Sequence, residues 1–570
     1  MNDNSETLKQ RLNIMRSAME SDRSSFIQHW RDLSDYILPR RAQFTLSDSN
    51  KGDKRNQKIL DSTATLAART LRSCMMSGVT SPARPWFRLT TPDPDLAEFG
   101  SVKEWLHIVS QRMGTVFLKS NLYNVLPTIY GDMGTFGTAA MYIEEDFDDV
   151  IRCYSFPIGS YMIATNARRK VDGFNREFRF TVRQLIEQFG YTESGKVDLS
   201  KFSEIVKNHY ERKNQSAWID VCHVIYPNDQ YDGNGLMSNQ KRYRSLYYEK
   251  GEPDEKYLSD KGYSYFPVLC PRWETTGEDV YGTECPGMIA LSDVKALQIM
   301  QKRRLQAIEK HVNPPMIAPA MLKTQKVSTI PGDITYVDER EGMKGLRPAY
   351  EVDPKTLSVE LAINEHQERI SRVFYEDLFL MLINTDRREI TAREIDERHE
   401  EKLLALGPVL EQLNQDVLDP LIDITFDIMY RQGLIPEPPE EIAGTQLKVE
   451  YISILAQAQK MVGLAGIERF AGFVGQVATY DPQVLDKVDR DQMIDEYGDI
   501  TGVPPRIIVP DDKVAAIREG RAAVAKQQEQ MAALASGAKT AKDLSGANLD
   551  NNNALTALLQ QAQAGQLTGG

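Results

Sequence analysis

The sequence predicts an α+β fold in which helix predominates, and three observations carry that reading. Apolar residues recur at helical spacing near the amino end. The period changes to two between Ala139 and Phe180. From Leu291 onward helical spacing returns, broken by stretches rich in Gly and Pro. At 570 residues, 41% hydrophobic and 26% charged, the chain can bury large cores and divide into about three or four domains of a folded, soluble type.

The elements follow in order. Leu8, Leu12, Met15, Met19, Phe26, Trp30, Leu33 and Ile37 form one helical stripe that Pro39 ends. The pattern is too short for a coiled coil, so the helix is expected to pack on its own domain. A second helix is expected from Ile59 to Met76, stopped by Ser77-Gly78, with a rigid loop at Ser81–Pro85. Short strands are expected at 139–144, 151–156, 161–165 and 174–180, with Asp172-Gly173 as a hairpin turn. Further strands fall at 218–226, 242–249 and 263–269. Loop chemistry from Tyr281 to Met288 precedes a helix over 291–310, with Ser292 placed as its N-cap. About forty residues of extended, turn-punctuated sequence follow, including Asn313-Pro314-Pro315 and Pro331-Gly332-Asp333. A second long helix opens at Pro354 and runs to about Leu382. Asn384–Glu389 interrupts it, and a charged helix starts near Thr391. Pro436–Pro439 breaks the mostly helical remainder. Helix resumes over 452–477 and again, after Gly502–Pro505, over 512–534. The stretch from Ser536 to Gly570, rich in Ala, Gln, Asn and Gly, is expected to be disordered because it cannot bury enough surface to offset ordering entropy.

Composition excludes several functions. The net charge of −13 argues against a protein that grips DNA by neutralising phosphates. Residues 1–6 are polar, with no apolar leader segment, and the longest apolar run, Leu378–Ile383, is far too short to span a bilayer. No membrane association is expected. The five cysteines at 74, 153, 222, 270 and 285 lack any Cys-x-x-Cys pair and read as reduced thiols. Cys222-His223 sits in a strand, where neighbours face opposite ways and cannot readily share a metal. No metal site and no cofactor are expected.

The motifs that could carry chemistry fall short. Gly190-Tyr191-Thr192-Glu193-Ser194-Gly195-Lys196 matches part of a phosphate-binding loop, but Val197 stands where a magnesium-binding Ser or Thr is needed. Helical spacing before Gly190 makes that residue a helix C-cap and the loop a helix-to-helix connection. A nucleotide-binding DNA-packaging enzyme built on this loop is the alternative reading. Gly131, Gly134 and Gly137 suggest a turn and close packing, not a phosphate cradle. The acidic run Glu144–Asp149 reads as a solvated hairpin tip, since two-metal chemistry needs carboxylates converging from separate elements. His399-Glu400-Glu401-Lys402-Leu403 lacks the second histidine of a zinc protease. No catalytic residue is assigned, and the chain is not expected to be an enzyme.

What remains is the helix pair. On its first member Val294, Leu297, Leu305 and Ile308 mark an apolar stripe, beside a basic bias that includes Lys302, Arg303 and Arg304. The second member is biased to acid, with Glu365 and Glu368 among its charges and Arg372 among the exceptions. Oppositely biased helices can pair within and between subunits and set register.

The ordered set Pro271-Arg272-Trp273, Val280-Tyr281-Gly282, Pro286-Gly287-Met288, Asn313-Pro314-Pro315, Thr391-Ala392-Arg393-Glu394 and Leu406-Gly407-Pro408-Val409 resembles the head-to-tail connecting (portal) proteins of short-tailed phages, from about Leu8 to Arg521. The resemblance implies a portal-type fold with wing, stem, clip and crown regions, closed into a ring of about twelve subunits at one capsid vertex. It implies a wing at 1–290, stem helices at 291–310 and 354–383, a clip at 311–353, and a tunnel loop at 384–390. A long wing helix region then covers 391–436, a helical crown 437–535, and a tail 536–570. It places Asp386, Arg387, Arg388 and Glu389 in the channel, and Lys323, Lys326, Glu339, Arg340 and Glu341 on the clip. The implied partners are double-stranded DNA, the terminase large subunit, major capsid and scaffolding proteins, and tail or adaptor proteins. Assembly in the host cytoplasm and residence in the virion follow from the same resemblance.

Overall fold

Thr7 opens the first helix, α1 (Leu8–Tyr36), through a capping box in which the Thr7 hydroxyl accepts from the Gln10 amide and the Gln10 side chain accepts from the Thr7 amide. This is a computed structural model. It describes residues 7–377 apart from 47–51, 53–54, 94–95, 97–98, 192–194, 232, 234–236, 252–255, 319–322, 324–346 and 349–355. It also describes residues 406–545 apart from 443, 445–446, 454–466, 502–508 and 510. Helix accounts for 54% of the structure and strands form several antiparallel sheets, so the fold is mixed with helix predominant.

The chain divides into two units. The first comprises Met1–Thr90, Leu106–Glu437 and Leu447–Gly502. Here α2 (Thr63–Val79) is followed by β1 (Phe87–Thr90), the part of α3 (Gly100–Lys119) from Leu106 onward, and α4 (Leu122–Phe136). The strands β2 (Ala140–Asp146), β3 (Val150–Phe156), β4 (Tyr161–Thr165) and β5 (Val171–Thr181) come next, then the short helices α5 (Val182–Phe189) and α6 (Glu204–Glu211). After them lie β6 (Trp218–Pro227), β7 (Tyr243–Glu249), β8 (Ser259–Tyr263) and β9 (Val268–Leu269). A five-stranded antiparallel sheet has the order β4-β5-β6-β7-β8, and a three-stranded one the order β3-β2-β9. Strand alternation sorts the larger sheet's faces. Cys222 and Val224 of β6 pack with Leu12 of α1, while Val221 packs with Val182, Leu185 and Ile186 of α5 and Val206 of α6. Adjacent Cys222 and His223 therefore point to opposite faces, as the sequence suggests.

The long helix α7 (Pro286–Val312) leads to the two-stranded pair β10 (Met316–Ile317) and β11 (Arg347–Pro348), and then to α8 (Thr356–Val373). Helix over 406–413 passes through a π-helical turn at Asn414–Leu418 into α9 (Asp419–Arg431). The strand β12 (Lys448–Tyr451) pairs antiparallel with β1, more than 350 residues earlier in the chain, and Arg88 meets Glu450 at 2.6 Å across the pair. Helix also covers 467–478 and α10 (Arg490–Thr501). The second unit, Thr91–Trp105 with Pro438–Gln446 and Val503–Gly570, contains the buried Val102 and Trp105, a 3-10 turn at Glu440–Ile442, and α11 (Asp511–Ser545).

Several expectations need correction, each for a local reason. Helix α2 starts at Thr63 and not at Ile59, because the amides of Leu60 and Asp61 bind the Gln298 side chain. Asp172 and Gly173 lie inside β5. The hairpin turn is at 166–170, where the Asn166 side chain accepts from the amides of Arg168 and Lys170. Gly173 is instead a close-approach position, since a Cβ there would lie 2.9 Å from both Met19 Cε and Ala164 Cβ. The strand expected at 263–269 splits into β8 and β9, which join different sheets.

Gly131 and Gly134 are helical, not in a turn. They let α2 and α4 approach, as a Cβ at Gly134 would sit 2.4 Å from a Leu71 methyl. Helix α7 begins at Pro286, whose missing amide proton costs nothing at the first position, so Ser292 is interior and not a cap. Helix α8 ends at Val373, with Tyr375 at φ +56°; Glu376 and Asp377 are helical again, and residues 378–382 lie outside the described residues. The tail expected to be disordered from Ser536 is helical as far as Ser545. Residues 546–570 lie outside the described residues.

Candidate functional site: the α7–α8 helix pair and its anchor

The motifs Pro271-Arg272-Trp273, Val280-Tyr281-Gly282 and Pro286-Gly287-Met288 converge on the end of α4. Gly137 caps that helix in the left-handed conformation (φ +80°), and its carbonyl accepts from the Trp273 amide at 2.8 Å. The Gly282 amide donates to Thr138 Oγ1 at 2.8 Å. A Cβ on Gly282 would lie 2.1 Å from the Gly137 carbonyl oxygen, and one on Gly287 would lie 2.2 Å from that of Thr135. Backbone thus packs on backbone, which only glycine allows.

Around this knot Tyr281 is fully buried. It stands edge-on to Trp30 at 5.1 Å, and its hydroxyl accepts from the Ile163 amide at 3.2 Å. Arg272, 3% exposed, holds Asp416 of the π-helical turn through two contacts of 3.3 Å and donates to the Arg169 carbonyl at 3.1 Å. Gln412 adds a third bond to Asp416 at 2.8 Å. Leu406 and Val409 of the later motif are buried, whereas Thr391–Glu394 lies outside the described residues. The first three of these motifs therefore build the anchor from which α7 departs.

Helices α7 and α8 run antiparallel. His366 and Arg369 of α8 both meet Asp293 of α7, at 2.9 and 3.2 Å, while further along Met316 pairs with Pro348. A polar clamp centres on Asp61. One carboxylate oxygen accepts from Gln301 of α7 at 2.9 Å and Gln367 of α8 at 2.8 Å, and the other accepts from Thr63. Gln298, only 4% exposed, accepts from the Leu60 and Asp61 amides and donates to the Asp61 carbonyl. Burial pushes the Asp61 carboxyl up, but the bonds from Thr63, Gln367 and Gln301 outweigh it and hold it below its ordinary value. Lys295 ties α7 to Asp32 of α1 at 2.7 Å. Sequence reasoning missed this clamp. Its only signal was that Gln298 and Gln301 fall on the same helical stripe as Val294 and Leu297.

The expected site residues fare unevenly. Lys302, Arg303, Glu365, Glu368 and Arg372 are exposed, and Arg304 is half-buried. None of the six forms an ion pair among the described residues. Within one chain the polarity is reversed, with the acid (Asp293) on α7 and the bases (His366, Arg369) on α8. The apolar stripe also divides. Val294 and Leu297 are fully buried, whereas Leu305 and Ile308 are exposed. Lys323 is exposed, while Lys326, Glu339, Arg340, Glu341 and the loop residues Asp386, Arg387, Arg388 and Glu389 lie outside the described residues.

The phosphate-loop lookalike does not open a helix. Helix α5 ends at Phe189, Gly190 caps it, Val197 packs against the core beside α5, and α6 begins only at Glu204. All five cysteines are buried, and burial pushes Cys153 and Cys285 up to about 12 and Cys222 up to about 11, so none is a ready nucleophile.

Helices clamped to a glycine-built anchor on an α+β body make a rigid joint, which is the equipment of an assembly subunit. The family described as bacteriophage head to tail connecting protein matches residues 9–509, and this chain belongs to it. The chain is 47% identical over 561 residues to the portal protein of Salmonella phage epsilon15, covering 98% of this chain and 100% of that one. It is 42% identical over 538 residues to the probable portal protein of Bordetella phage BPP-1, covering 94% and 95%. A chain from the neck of an empty GTA particle aligns at 9% identity and TM-score 0.31, over 78% of this chain and 94% of that chain, too distant to argue from. Among the described residues no helix is long and apolar enough to cross a membrane.

Proposed function

We infer that the chain is a phage portal subunit, the head-to-tail connector through which DNA is packaged and ejected. The observation that carries this is the family match across residues 9–509, which spans both the anchor and the α7–α8 pair. The subunit closes into a ring of about twelve at one capsid vertex, with residues 291–310 of α7 and residues 354–383, which include α8, as its stem. Residues 1–290 form the wing, 311–353 the clip, 384–390 the tunnel loop, 391–436 the long wing helix region and 437–535 the crown. Exposed apolar side chains along the pair support a ring. Leu305, Ile308 and Val312 on α7 and Leu361 on α8 face solvent in one chain, and a neighbouring stem would cover them. The clip docks the terminase motor and then the tail or adaptor proteins, and the outer wing meets capsid and scaffold. No step of bond-making chemistry is assigned to the subunit, so force comes from the partner motor.

Native mass spectrometry and negative-stain imaging of the purified chain test the reading. A holed ring near 775 kDa, about twelve copies of 64.6 kDa, is expected. Monomer or dimer under every salt condition overturns it.

A further inference from the structure

The β2–β3 hairpin ends in a shape that intramolecular packing does not explain. Phe147 stands at its tip 97% exposed, flanked by Asp146, Asp148 and Asp149. The tip is rigid. The Asp146 carboxylate accepts from the amides of Asp148 and Asp149 at 2.8 and 3.1 Å, and Arg152 braces it at 3.3 Å. Those amide bonds hold its carboxyl below the usual range, so it stays charged. Glu145, at the base, is tied to Arg431 and Gln432 of the chain around α9. Val150 closes the turn at φ +71°, a left-handed conformation that is costly for a β-branched residue and that persists only when the surroundings enforce it. A strained, braced turn thus presents one aromatic ring in a collar of acids.

A groove of about 450 Å³ lies elsewhere on the same unit, between α1, the loop at 43–46 and β4–β5. Phe44, Leu46 and Met162 give it apolar surface. Arg16, Arg23, Arg179 and Lys250 line it against Glu20 and Glu177; Glu177 holds Arg16 and Lys250 at 2.5 Å each and Asp220 holds Arg179 at 2.7 Å, which leaves the rim an excess of one positive charge. Gly159 and Ser160, just beyond the far end of β3, form part of its wall. Hairpin tip and groove therefore lie at opposite ends of the seven-residue β3, about 20 Å of extended strand apart. The tip cannot fill the groove of its own chain.

We propose that the Phe147 tip of one copy seats in the Arg16–Arg23–Arg179–Lys250 groove of a second copy. A knob and a hole at different places on one subunit make a heterologous contact, which closes into a ring when the rotation permits. An aromatic anchor on apolar surface inside an opposite-charge rim is the usual anatomy of a strong contact, and the preformed turn lowers the ordering cost. This contact rests on the portal reading but is a finer claim than it.

Phe147→Asp and Arg179→Glu test it in the full-length chain, with melting curves confirming that each variant folds. Each is expected to raise the concentration for half-assembly at least about tenfold. Combining Arg179→Glu with Asp148→Lys restores part of the loss. Because the native cysteines are buried, a Phe147→Cys chain mixed with a Ser160→Cys chain should yield an intermolecular disulfide that neither forms alone. A wild-type ring that both single variants leave intact, with no cross-link, overturns the contact alone. A groove variant that forms normal rings but loses duplex DNA binding gives the groove to nucleic acid and equally overturns the contact. A wild type that never forms a ring overturns the portal reading and the contact together.

Discussion

His223 shows how one buried side chain can set a pH limit. It is fully buried on β6, stacks on Tyr247 at 3.8 Å and bonds Ser245 through Nε2 at 3.0 Å. Burial, with Arg176 adding to it, holds its pKa well below the ordinary 6.5. The unfolded chain then binds a proton near pH 6.5 that the folded chain refuses, so stability falls as pH drops below about 6.5. His223→Gln, which keeps a partner for Ser245, is expected to flatten the dependence of Tm between pH 7 and 5; an unchanged slope assigns the acid sensitivity to other groups. A second residue-scale expectation concerns Asp416. Its loss leaves the Arg272 guanidinium buried beside only the Arg169 carbonyl. Asp416→Ala should cost about 3 kcal/mol, at the lower end for a broken buried pair because both contacts are 3.3 Å. Urea unfolding of the monomer reads it directly.

At the scale of elements, what the sequence made legible was whatever its periodicity encodes. The strands from Ala139 to Tyr226 and the helix beginning at Leu8 show their patterns locally, and the structure places them within a few residues. The misreadings share a physical source, which is that distant contacts override local signals. Gly131 and Gly134 look like breakers, yet they serve a helix whose neighbour needs the space. Phe374-Tyr375 contains no Gly or Pro, yet α8 stops there, and the Tyr375 ring lies 6.3 Å from Trp273 of the anchor. The pairing of β1 with β12 has no local signature at all. The candidate site was legible as a helix pair, whereas the Asp61 clamp depends on glutamines that meet only in three dimensions. The same reasoning settles an expectation for the 190–196 connection. Since it joins α5 to α6 and opens no helix, Lys196→Ala should leave ring yield and packaged DNA unchanged in a head-filling assay. Intact rings that fail to package would revive a nucleotide site.

At the scale of the whole assembly, charge frames what a channel can do. In the proposed ring, about twelve chains at −13 each would sum to on the order of −150, a field that would repel DNA from the body of the ring. A channel lined only by acid would let DNA slide but could not hold a filled head against leakage. Isolated basic groups in such a field can make brief phosphate contacts whose strength scales with the number neutralised. Arg387 and Arg388, between Asp386 and Glu389, are the groups that the proposed tunnel loop would bring to the DNA. As a plain surface turn the segment would tolerate Arg387→Ser with Arg388→Ser. As a channel loop it would not. The double variant is expected to assemble into rings at normal yield and to package shorter genomes or lose DNA from filled heads. The informative comparison is ring yield against packaged length and leakage, measured at two salt concentrations because phosphate contacts weaken as salt rises. Normal packaging and retention would make the loop a passive connection and move the DNA-touching role to other residues of the channel.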